Sequence, residues 1–173
     1  MSSRGRESLA RRTFFLGTLF QCRGNDSEHD QAAYFDRAAE SFEESVRLNP
    51  IVGVRYNYIK SLLELGAKSI SPEQKRKWFE RCEAEQNAFL TDLPKFDQDD
   101  PFFAASDDWT PRYVAYNHAC LKSLDGRHNE ALEILAELVE EDCIPWDRIN
   151  SDADFDPIRD LPEFQAMADR KSG

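Results

Sequence analysis

The sequence predicts an all-α protein, a stack of helix hairpins, and three observations lead there. A phrase occurs twice: Tyr56-Asn57 opens an apolar helical stretch that reaches Gly66, and Tyr116-Asn117 opens another that reaches Gly126, with Gly at the same distance from Asn in both. A repeated helix with a fixed Gly stop marks stacked units, each burying its face on the next. Glycine and proline are sparse, 7 and 8 in 173 residues, and fall between the apolar-periodic segments. The length suits a single domain, residues 1–173, with a core of its own.

The elements follow in order. Residues 6–23 read as the first helix, with Leu9, Phe15, Leu16, Leu19 and Phe20 as its apolar side. Residues 30–48 read as the second, where Tyr34, Phe35, Ala38, Phe42, Ser45 and Val46 recur at three and four, and Asn49-Pro50 stops it. Val52 to Leu65 is the third, ended by Gly66 as a left-handed residue. Ser71 caps the fourth, with Pro72 in its first turn and Gln74 at the reciprocal capping position; Trp78, Phe79, Cys82, Phe89, Leu90 and Leu93 supply its core. Pro94 to Asp108 has no periodicity and reads as an acidic loop with Phe96, Phe102 and Phe103 as anchors. Thr110-Pro111 starts the fifth helix and Gly126 ends it; the sixth runs from about His128 to Glu141. After Pro145-Trp146 come a short turn or two, then a last helix from about Pro162 to Arg170.

Tyr116-Asn117-His118-Ala119-Cys120, then Gly126, then Asn129-Glu130-Ala131-Leu132 lie in gapless register with one known pattern, and this segment resembles a tetratricopeptide repeat. Lys122 stands where the family places a large residue at the centre of the first helix, and His118 where it places Leu. Two stretched copies precede it: Leu16-Gly17, Phe20 and Gly24 with Ala38, Phe42, Ser45 and Asn49-Pro50, and the Tyr56 copy. The repeats then cover about 8–50, 51–94 and 110–142, with extra residues at 25–37 and 67–77 and the 94–109 loop, where specificity would reside. Asp152-Ala153-Asp154-Phe155-Asp156-Pro157-Ile158-Arg159-Asp160-Leu161-Pro162-Glu163-Phe164 is similar to the segment that closes many bacterial tetratricopeptide proteins, which makes 143–171 a cap. The resemblance implies a right-handed superhelix of about three helix hairpins plus that capping helix.

Charge narrows the function. With 33 acidic against 22 basic residues and a formal charge of −11, the chain lacks the basic surface that phosphate binding needs, so no nucleic-acid partner is expected. Four scattered cysteines, Cys22, Cys82, Cys120 and Cys143, read as reduced, buried, small apolar residues. Arg11-Arg12-Thr13-Phe14-Phe15-Leu16 resembles a twin-arginine export motif, yet the apolar run ends by Phe20 without a small-residue cleavage site, so the helix reading prevails. No segment approaches the roughly 20 apolar residues that span a membrane. The expectation is a cytoplasmic protein with no membrane partner.

No catalytic, cofactor or metal site is expected, because nucleophile elbow, zinc-helix motif and phosphate-binding Gly loop are all missing. Asp152, Asp154, Asp156 and Glu163 have calcium-loop spacing, but Pro157 sits where a sharp Gly turn is required, which favours helix capping. The family resemblance implies a concave groove lined by first helices, in which an Asn holds an extended peptide. Asn57 and Asn117 occupy that place, with Lys60 a turn beyond Asn57 and Arg112 and Tyr113 near the start of the other helix. An amide offers donor and acceptor to a peptide backbone, and Lys and Arg suit a carboxylate. The expected function is a scaffold or adaptor that binds a protein or peptide. The alternative is a self-assembling structural module, a homodimer in its simplest form, and more remotely a metal-binding or enzyme accessory protein.

Overall fold

The computed structural model describes residues 3–27, 30–48, 52–92, 111–142 and 144–172. Their regular structure is all helical: α1 (Ser3–Asp26), α2 (Gln31–Leu48), α3 (Val52–Lys68), α4 (Pro72–Asp92), α5 (Pro111–Leu124), α6 (His128–Glu140), α7 (Trp146–Ser151), a 3-10 turn (Ala153–Phe155) and α8 (Pro162–Ser172). The expected acidic loop 94–108, with its phenylalanines, lies outside the described residues, as do Asn49-Pro50 and Cys143. No described helix is long and apolar enough to cross a membrane. The chain divides into two compact units, Met1–Trp109 and Thr110–Gly173.

In the first unit, consecutive helices pack on one another, and α1 does so in an unexpected way. Its buried positions are Ala10, Gly17, Gln21 and Gly24, whereas Leu9, Phe15, Leu16 and Leu19 are exposed. The expected apolar face is therefore not the packed one. Ala10, Gly17 and Gly24 recur every seven residues and form a seam of small residues against α2. A β-carbon at Gly17 would come within 2.6 Å of the Phe42 ring, and one at Gly24 within 2.9 Å of Phe35. Ser45 donates a buried hydrogen bond to the Ala10 carbonyl at 2.9 Å. The aromatic rings of α2 supply the volume of this core, so α1 supplies room for them.

Gly66 departs from its expected role in the same way. It lies inside α3, which continues to Lys68, and a β-carbon there would overlap the buried Phe79 ring of α4. Its job is close approach, not helix termination. The α4 side of this hairpin is Phe79, Cys82, Gln86 and Phe89, all buried and spaced three and four apart. The Cys82 thiol lies 3.5 Å from the Ile59 carbonyl, and Arg55 donates to Asp92 at 2.7 Å. Ser71 caps α4 as expected, its hydroxyl accepting from the Gln74 amide.

In the second unit, Gly126 does end its helix. Its φ is +79°, its amide donates to the Ser123 carbonyl, and the Arg127 amide reaches back to the Lys122 carbonyl at 2.9 Å. These two bonds make a Schellman turn, and the positive φ is why the position is Gly. Lys122 is 5% exposed, and its ammonium pairs with Glu130 of α6 at 2.7 Å. A lysine thus fills a core position by burying its stem and meeting an acid on the partner helix. Ala131, Leu132, Leu135, Leu138 and Val139 form the buried face of α6.

The segment after α6, expected as a cap, packs within this unit. Ile144, Ile149, Phe155, Ile158, Phe164 and Met167 are all buried, one apolar residue from nearly every turn of a segment otherwise rich in Asp and Pro. Lys171 of α8 pairs with Asp142 after α6 at 2.7 Å, and the Arg159 guanidinium holds the Asp152 carbonyl at 2.8 Å.

Candidate functional site

The expected peptide-binding residues fall on the first helices of two hairpins, one in each unit. On α3, Asn57 is half-buried and Lys60, one turn further, is exposed. On α5, Arg112, Tyr113 and Asn117 are half-buried. Tyr113 and Asn117 are four residues apart and share a helix face. The Asn117 Nδ2 has no hydrogen-bond partner and no contact with solvent, a state that ordinarily costs about 1–3 kcal/mol.

Around Tyr113 the structure adds a residue that the sequence reading missed. The Arg148 guanidinium of α7 sits 4.9 Å from the Tyr113 ring centre and 5.4 Å from that of Tyr116, and Arg112 lies 5.6 Å from Tyr113. A ring face attracts a cation, so Arg148 lays the cap against α5 through two tyrosines. The available signal was Tyr113 and Tyr116 three residues apart on one helix face, but nothing in the sequence names their partner.

One turn further along α5 is a part-buried polar cluster. The Tyr116 hydroxyl donates to Asp152 Oδ2 at 2.5 Å, Asp152 Oδ1 accepts from the Asp154 amide at 3.0 Å, and the Cys120 thiol bonds Asp154. Asp152 is the N-cap of the 3-10 turn, as the capping reading expects. Asp156 turns instead to Arg159, 2.9 Å away. Donor atoms of Cys120, Asp152 and Asp154 lie within 4.8 Å of one another, a spacing that a metal ion could bridge. Burial and then the Asp154 and Asp152 charges push the Cys120 thiol well above the ordinary thiol range. Burial, then the bond to Asp152, likewise raises the Tyr116 hydroxyl. The cluster holds the cap on α5 through neutral donors and carboxylate acceptors.

Cys82 in the first unit shares this state, raised by burial and then by Glu83 and Glu85. These thiols stay protonated in the folded chain, while those of the unfolded chain ionise from about pH 8.5 upward. Their stabilisation is therefore complete below that pH and is lost as pH rises. Each is expected to forfeit about 1 kcal/mol between about pH 8.5 and 9.5, so urea denaturation across that interval should show a total loss of about 2 kcal/mol. A Cys82→Ala, Cys120→Ala variant should show a correspondingly shallower decline. An equal slope in both proteins would refute the assignment.

No family model, curated protein or solved structure matches the chain.

Proposed function

We propose that the chain is a non-catalytic scaffold of the tetratricopeptide type, with α1–α2, α3–α4 and α5–α6 as its repeats, and that the Asn-bearing face of α3 and that of α5 each offer a surface to a protein or extended peptide. One observation carries this reading: the repeated phrase has the same burial in both copies. Tyr56 and Tyr116 are buried, and the next residue, Asn57 or Asn117, stays half-exposed on the first helix of a hairpin. A buried tyrosine followed by a half-exposed asparagine supports recognition of a peptide backbone, which needs donor and acceptor together. Lys60 and Arg112 add cations for a carboxylate.

The test is a displayed random-peptide library panned against the wild type, followed by titration of the selected peptides into Asn57→Ala, Asn117→Ala and the double variant, with folding checked by circular dichroism. Loss of one hydrogen bond per site should weaken binding about tenfold in the double variant. Selected peptides that bind all proteins equally would place recognition elsewhere, and a library with no binders would reject the reading.

A further inference from the structure

The solvent face of α1 is both apolar and basic. Leu9, Phe15, Leu16 and Leu19 are 38%, 66%, 48% and 62% exposed, on a helix whose small-residue seam already serves its hairpin. Arg11, Arg12 and Arg23 are exposed beside them, and the only acids of α1 are Glu7 and Asp26. In a chain of charge −11, such a strip is an outlier. Clustered exposed leucine and phenylalanine on one helix call for a covering surface.

The second unit carries a surface of the opposite character. Between α6 and α8 runs a groove of about 540 Å³ lined by Leu132, Ala136, Met167, Glu133 and Glu163, with Arg170 as the cation among its described lining residues. Residues 110–173 hold twice as many acidic as basic residues. A groove of this size takes leucine or phenylalanine side chains as knobs, and its acidic surroundings suit arginines on the same helix.

From this complementarity we infer that α1 of one copy docks in the α6–α8 groove of a second copy, head to tail. Pairing of α1 with α1 would set arginines against arginines, so charge disfavours the symmetric contact. A head-to-tail contact leaves one strip and one groove unused at the ends, so assembly continues into rings or filaments. This interface is separate from the Asn-bearing faces and stands or falls independently of them.

Sedimentation of the full chain over a range of concentrations tests it. The wild type should show an average mass that at least doubles with concentration and falls back with added salt. Leu16→Glu with Leu19→Glu, and separately Ala136→Arg, change exposed positions and should each give folded monomers. Mixing those two variants should restore a one-to-one dimer and nothing larger, because each keeps one intact surface. A wild type that stays monomeric, a strip variant that still assembles, or a mixture that stays monomeric would each overturn the proposal. A monomeric wild type that cosediments with phosphatidylglycerol vesicles through the same leucines would overturn it in favour of a membrane-facing strip.

Discussion

Phe155→Ala is expected to destabilise the second unit by about 3–5 kcal/mol, the usual range for deleting a fully buried aromatic side chain. Phe155 is 0% exposed and meets Tyr116 edge to face at 5.5 Å between ring centres. It is also the last residue of the 3-10 turn, so its ring joins the cap to α5 while the backbone around it turns. The cavity would open between elements held by short, irregular segments. Those segments can relax, which favours the lower half of the range, but the Tyr116 ring would lose the partner that orients it. Urea denaturation followed by circular dichroism measures the effect. Ile70→Ala is the control, because that side chain is 99% exposed and should change stability by less than about 0.5 kcal/mol. A Phe155→Ala loss under about 1 kcal/mol would mean that the cap contributes little to its unit.

The cap was legible because its apolar residues punctuate a stretch of Asp and Pro that has no other reason to contain them. The order of helices was legible from periodicity and turn residues, since both are local. What escaped was long-range. In α1 the largest apolar side chains looked like the core, but a core position is defined by the facing helix. Phe35 and Phe42 fill the interface from α2, and α1 answers with Ala10, Gly17 and Gly24. The seven-residue spacing of those small residues was the visible signal. Gly66 and Gly126 carry the same letter for different reasons, one making room for Phe79 and the other accepting a positive φ. Local sequence does not separate those causes. Lys122 looked like a defect in the repeat until Glu130 supplied its partner. Of the candidate site, Asn57 and Asn117 were singled out because the phrase repeats. Arg148 could not, because its aromatic partners lie on another element.

Asp152→Ala is expected to cost about 2–4 kcal/mol, and the reason is that one carboxylate does two jobs. Its Oδ1 caps the 3-10 turn by accepting from the Asp154 amide, and losing such a cap ordinarily costs about 1 kcal/mol. Its Oδ2 accepts from Tyr116, a residue that is 2% exposed, so removing the acid strands a buried hydroxyl at a further cost of about 1–3 kcal/mol. The second part can be isolated. Tyr116→Phe removes the donor and strands no buried group on α5, so it should cost about 1 kcal/mol. In the double variant the hydroxyl that Asp152→Ala would strand no longer exists. The two effects should then fall short of additivity by about 1–2 kcal/mol, as expected for groups in one hydrogen-bonded network. Additive losses would show that the short Tyr116 to Asp152 bond contributes nothing beyond its two ends. The same variants separate the cap from a calcium loop. A capping carboxylate leaves the melting temperature indifferent to calcium, whereas a calcium-dependent rise in the wild type that vanishes with Asp152→Ala would make the acids of this segment ligands after all.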